Sequence, residues 1–195
     1  MEQTEFHKEF AFTNNKGELA LSVDKLLLFL EERLVYCNNY THLISRSKWI
    51  ITELLTNAYK HSSSPVIHFK VEIGQSTLFI KKIDQDEPFS ITIDNRRKYF
   101  PLDFEEDRHI LHKDDFTILY ATLCTEDTLM FTVKDDVDIT GKTVYGMGEH
   151  FGLIIITRSS DEFTYTYDSG TKTNIFSSKL NLPTADMEQA GFLAG

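Results

Sequence analysis

The sequence predicts an α/β protein, and a change of period carries that prediction. Between about residues 22 and 61 the apolar residues recur at helical spacing, whereas from residue 66 they largely alternate as strands do. A third observation is the sparse punctuation. Four prolines and nine glycines in 195 residues leave no Pro- or Gly-rich linker, so a single domain is the expected organisation.

Residues 5–13 alternate loosely and predict an edge strand, with Asn14 to Gly17 as a turn. Ser22 is the expected N-cap of a first helix built on Val23, Leu26, Leu27, Phe29, Leu30 and Leu34 and ended by Asn38 and Asn39. A second helix is expected from about Ser45 to His61, with Trp49, Ile50, Leu54 and Ala58 on one face and Pro65 beyond its end. Residues 66–73 and 77–83 read as a hairpin. From about 84 to 115 the pattern breaks into charged and aromatic runs, read as a long irregular excursion in which Arg96, Arg97 and Lys98 belong to a solvated loop. Strand character returns at 116–123 and 128–133. The flanks of Leu153 to Ile156 suit a short helix after the glycine-bearing stretch 141–152. Residues 163–167 and 173–180 read as a closing hairpin, and 181–195 as a loose tail.

Composition narrows the classes. At 41% hydrophobic and 12% aromatic residues the chain carries enough apolar surface to fold. Thirty acidic against 20 basic side chains give a net charge of −10, which repels phosphate backbones and argues against a nucleic-acid partner. No apolar run is long enough to span a membrane, and Glu2, Glu5, Lys8 and Glu9 occupy the stretch where a secretory signal needs an apolar run. A cytoplasmic location and no membrane association are therefore expected. Cys37 and Cys124 are far apart in sequence and suggest neither a metal motif nor a redox pair.

The polar cluster on the second helix carries the chemistry. Spacings of four put Glu53, Asn57 and His61 along one side, with Lys60 adjacent. An amide oxygen is a hard ligand for magnesium, and a carboxylate one turn earlier can orient a nucleophile. The plain alternative is a solvated helix face. For His61, capping of the helix's own end is the simpler reading.

The string at 53–62, E-L-L-T-N-A-Y-K-H-S, resembles the asparagine-bearing helix motif of the superfamily comprising gyrase, histidine kinases, the heat-shock chaperone and the mismatch-repair ATPases. The resemblance implies that Asn57 binds the magnesium bridging the ATP phosphates, that Glu53 positions the attacking group, and that Lys60 lies near phosphate. Asp84 to Phe89, D-Q-D-E-P-F, resembles the D-x-G-x-P-F string of the anti-sigma-factor serine kinases. It implies that Asp84 accepts the adenine amino group, with Asp86 standing where the family has glycine. A competing match, Val133 to Ile139, has Val137 and Ile139 at glycine positions and is less favoured. Gly146, Gly148, Gly152 and Leu153 resemble the family's glycine-rich lid and following helix, with His150 replacing one glycine. Gly170 to Asn174 resembles the family's closing strands, where a Thr or Asn borders the phosphates, and Thr173 is the residue this implies there.

This resemblance implies a two-layer α/β sandwich, its mixed, mainly antiparallel sheet packed on helices, as in the Bergerat or histidine-kinase-like ATPase fold. Residues 1–180 would form one ATP-binding domain with an insertion at about 90–145, and 181–195 the tail. The implied function is that of an ATP- and magnesium-dependent regulatory protein resembling an anti-sigma-factor serine kinase. It would pass the γ-phosphate to a serine of a partner, a sigma factor or its antagonist, and a homodimer is compatible with this. Two alternatives stand beside it: a regulatory module with a degenerate lid and no turnover, and an interaction protein that binds no nucleotide.

Overall fold

The computed structural model describes residues 4–93, 96–99, 108–135 and 151–183. Gly146, Gly148, His150, the less favoured match beyond Asp135 and the tail beyond residue 183 lie outside the described residues. The fold is α/β: the described residues form three α-helices and one eight-stranded sheet, with a separate short hairpin.

Strand β1 (Thr4–Thr13) leads through a short 3-10 turn into helix α1 (Leu19–Leu34), followed by α2 (Tyr40–His61). Strands β2 (Val66–Gly74) and β3 (Thr77–Asp84) form the expected hairpin. Strands β4 (Ser90–Ile93) and β5 (Arg96–Tyr99) pair with each other, and β6 (Arg108–Lys113), β7 (Thr117–Thr125) and β8 (Thr128–Asp135) follow. Helix α3 (Phe151–Ser159) then precedes β9 (Glu162–Asp168) and β10 (Thr173–Asn181).

The sheet order is β1-β2-β3-β10-β9-β8-β7-β6, and every described pair is antiparallel, where a mixed sheet was expected. The last described strand, β10, therefore inserts beside β3. The irregular excursion expected at 84–115 contains three strands instead. Of these, β6 continues with β7 and β8 as an extension of the main sheet beyond β9, so much of the expected insertion is sheet. Asn181 closes β10 and Leu182 is buried, its N–H donating to the Ser76 carbonyl at 2.7 Å, so these two do not belong to a loose tail.

Both long helices start earlier than expected. Asn15 caps the 3-10 turn by accepting from the Gly17 N–H at 3.0 Å, and α1 continues from it. Ser22 is thus no cap. It is buried inside α1, and its hydroxyl shares a 3.1 Å hydrogen bond with the Tyr59 hydroxyl of α2. Asn39, at φ 60°, supplies the left-handed turn between the helices, a conformation asparagine tolerates better than most residues. Its carbonyl accepts from His42 and Leu43, and Leu43 already points into the core. Trp49 is exposed, whereas Ile50, Leu54 and Ala58 are buried as expected.

Helix α2 packs against both α1 and α3 and touches β3, while α3 touches β8 and β9. Leu26, Leu30, Ile50, Ile51 and Leu55 from the helices share one core with Phe69, Val71, Ile80, Phe163 and Tyr165 from the sheet. Each large apolar side chain buried in this way stabilises the fold by about 1.5–3 kcal/mol. The same parity is buried along β3, where Leu78, Ile80, Lys82 and Asp84 all face inward. Two charged residues thus share the face that should be apolar.

Candidate functional site

Glu53 and Asn57 are half-buried on α2, one turn apart. Gly152, the second residue of α3, lies against them. A Cβ added there would sit 2.8 Å from Glu53 Oε2 and 3.2 and 3.3 Å from the Asn57 amide nitrogen and oxygen. A Cβ there would push the end of the flexible Glu53 side chain aside, so the glycine favours this close approach of α3 to the polar face. Two motif elements about 100 positions apart in sequence therefore meet at one point. Leu153 faces the other way, into the core, and its carbonyl accepts from the Thr157 hydroxyl at 2.7 Å. Lys60 and His61 are exposed in the last turn of α2.

Asp84 ends β3 and is buried, its side chain only 4% exposed. One carboxylate oxygen, Oδ2, is ion-paired with Lys82, two positions earlier on the same strand face. The other, Oδ1, accepts from the Asn174 amide at 2.8 Å and from the Asp86 N–H at 3.1 Å. The register sets this meeting, because Asn174 of β10 lies directly opposite Asp84. Thr173, the neighbour expected to border the phosphates, points to the opposite side of β10. It accepts from the Thr171 hydroxyl at 2.9 Å and lines a cavity of about 300 Å³ with Ser64, Val66, His68, Ile83, Asp84 and Gln85.

The network continues through Asn174. Its amide also donates to the Asp86 carbonyl at 2.9 Å, and its oxygen accepts from the Tyr165 hydroxyl at 2.6 Å. That hydroxyl in turn accepts from the Phe89 N–H at 2.9 Å. Burial pushes the Tyr165 phenol well above its ordinary value of 10, so it stays neutral as a donor. Phe89, the last residue of the D-x-x-x-P-F string, packs its ring on Tyr165, Phe131 and Phe176, with centroids 5.4 to 5.9 Å apart. The loop after β3 is thus pinned by its backbone and by an aromatic cluster.

Asp86, standing where the resembled string has glycine, reaches back to the end of α2. Its carboxylate accepts from the Ser63 N–H at 3.0 Å and the Ser63 hydroxyl at 2.7 Å. Burial opposes its charge, but hydrogen bonds from Ser62 and Ser63, with the Lys82 charge nearby, hold its carboxyl below the usual 3.8. Four residues separate Asn57 from His61 at the end of α2, an axial rise of about 6 Å. Asp86 therefore ties the acid loop to the same end of the helix that carries Glu53 and Asn57.

Chemically, the α2–α3 junction offers an amide oxygen, a carboxylate and a close-approaching helix start, a set suited to a magnesium-bound phosphate group. Among the described residues His, Cys, Asp and Glu form no group of three fit to hold a metal alone. An ion here would rest on Asn57 together with oxygens of its ligand. The acid end differs, since the chain's own groups already meet both oxygens of Asp84. Lys82 and Tyr165 were not among the residues singled out in the sequence. The alternation along β3 puts Lys82 on the same parity as Leu78, Ile80 and Asp84, but its inward turn and the meeting of the Tyr165 hydroxyl with Asn174 follow only from the pairing of β10 with its neighbours.

No family model matches the sequence, and neither does any curated protein. No described helix is long and apolar enough to cross a membrane.

Proposed function

We propose that the protein is an ATP- and magnesium-binding regulatory protein of the histidine-kinase-like ATPase type, resembling an anti-sigma-factor serine kinase. The observation that carries this reading is the approach of Gly152 to Glu53 and Asn57, which joins two parts of the resembled motif at one helix junction. The adjacency of β3 and β10, with Asp84 opposite Asn174, supports it further. Magnesium would be held by Asn57 and would neutralise phosphate charge. Glu53 would orient the hydroxyl of a partner's serine, and the start of α3 would direct its amides toward phosphate. Cytoplasmic location and a regulatory protein partner, a sigma factor or its antagonist, belong to the same proposal.

The test is calorimetric titration with ATP, with and without magnesium, on the wild-type chain and on Asn57→Ala. Magnesium-dependent binding that Asn57→Ala weakens at least tenfold supports the assignment, and an unchanged affinity refutes it. Transfer of labelled phosphate to a serine peptide, lost in Glu53→Ala, tests the kinase step.

One observation favours a second reading, a regulatory module of the same architecture without nucleotide. The carboxylate that would anchor a purine is occupied by Lys82, Asn174 and the Asp86 N–H. Saturating ATP that produces no heat and no thermal shift would favour this reading over the first.

A further inference from the structure

Glu53 lies in a stripe of exposed groups along α2. Trp49, one turn before it on the same side of the helix, is 54% exposed, and Phe151, the residue before Gly152 at the start of α3, is 47% exposed. Lys60 stands seven residues after Glu53, close to two turns, and falls on the same line. It is exposed and pairs with no carboxylate among the described residues. Glu53 is the only acid of α2, against Arg46, Lys48 and Lys60, so this helix is basic in a chain of net charge −10. Arg46 is engaged by Asp161 and the Ser159 carbonyl, and Asp86, beyond the end of α2, by Ser63. A hydroxyl brought to Glu53 arrives on a segment lying over this stripe, so the side chains on either side of that hydroxyl meet Trp49 and Lys60.

We propose, on the basis of the role given to Glu53 above, that Trp49 and Lys60 select the partner's acceptor segment: an extended chain with a large apolar side chain two residues from its serine on one side and a carboxylate four residues from it on the other. Trp49 is about 6 Å along the helix from Glu53, and two extended residues span about 6.6 Å. Lys60 is about 10 Å away in the other direction, whereas four extended residues span about 13 Å, a difference that the flexible lysine stem covers. Both positions share the facing of the serine, because an extended chain returns to the same side every second residue. The apolar side chain covers the indole, with Phe151 as a second ring at the junction, and the carboxylate meets the one charge on this line that has no partner.

Trp49 is the single tryptophan of the chain, so its fluorescence reports docking directly and without nucleotide. The full chain is titrated with the peptide Leu-Ala-Ser-Ala-Ala-Ala-Asp and with its reverse, which covers both chain directions. One of the two is expected to shift the emission to the blue and to saturate. Replacing its leucine by glycine should weaken binding at least tenfold, and replacing its aspartate by lysine severalfold. Lys60→Glu should invert the second preference, tightening the lysine peptide and weakening the aspartate one. With no nucleotide present, a role of Lys60 near phosphate would move neither value. The position is exposed, so the variant should melt like the wild type, and the peptide series on the wild type is decisive should it fail to fold. Emission that neither peptide moves, or equal affinity for every peptide, overturns the proposal. So does emission that shifts with protein concentration alone, which would give this face to a second copy. Magnesium-ATP binding through Asn57 with no peptide response removes this inference alone. Peptide response without ATP binding removes the kinase reading, while the docking face stands.

Discussion

Lys82→Met isolates the buried charge pair beneath the loop after β3. The side chains of Lys82 and Asp84 are 10% and 4% exposed, so neither charge is appreciably solvated. Removing the lysine leaves Asp84 with hydrogen bonds from Asn174 and the Asp86 N–H but without a cation. Breaking one side of a buried pair typically costs about 3–5 kcal/mol, whereas replacing both sides by neutral groups of similar shape is close to neutral. For a chain of this size each kcal/mol lowers Tm by about 2–4 °C, so Lys82→Met should melt roughly 10 °C below the wild type. Asp84→Asn alone should cost less, because the uncompensated lysine can lean over the Phe176 ring, whose centroid lies 5.2 Å away. The double variant Lys82→Met with Asp84→Asn should recover most of the loss. Urea unfolding at neutral pH of the four proteins gives the coupling energy directly. A loss under about 1 kcal/mol in Lys82→Met would place the pair in the range of solvated surface bridges and refute the reasoning.

Three further expectations follow from the same geometry. Tyr165→Phe removes the hydroxyl that donates to Asn174 and accepts from Phe89, and should cost about 1–3 kcal/mol in urea unfolding because the buried Asn174 oxygen and the part-buried Phe89 N–H lose that partner. Gly152→Ala forces only the far end of the flexible Glu53 side chain aside, so stability should change by less than about 1 kcal/mol, while the magnesium-ATP affinity proposed above should fall severalfold. Asp161 joins α2 to the sheet by accepting from Arg46 at 2.7 Å and from the Asn181 N–H at 2.6 Å. Burial works against its charge, but these donors hold its carboxyl below the ordinary 3.8. Its contribution is therefore present above that value and lost as pH falls through the lower folded one, so Asp161→Asn should flatten the acid limb of a stability-against-pH curve.

Much of the architecture was legible because local physics sufficed for it. The apolar spacing of Leu26, Leu30, Ile50 and Leu54 marked two helices, and the alternation of Ile67, Phe69, Val71 and Ile73 marked a strand buried on one face. Boundaries were harder. Ser22 has the chemistry of a cap, yet the earlier turn at Asn15 starts the helix, and the serine instead meets Tyr59 from a second helix. The stretch 84–115 hid β6 because a six-residue strand with Arg108, His109, His112 and Lys113 has too few apolar positions to show a period. At the site, Glu53 and Asn57 were visible as a spaced pair, and Gly152 as a glycine before an apolar run. Thr173 was chosen over Asn174 because a strand's facing cannot be known until its neighbours are paired.

The sequence by itself determined the helix pair, most of the strands and the polar face of α2, since each depends on neighbours within a few positions along the chain. Tertiary structure alone decided that β10 inserts beside β3, which brings Asn174 onto Asp84 across 90 positions, and that Lys82 turns inward to neutralise that acid. A one-residue slip of register would have sent Asn174 to the opposite face. The state of the candidate site thus depends on pairing between distant strands, which no local pattern encodes.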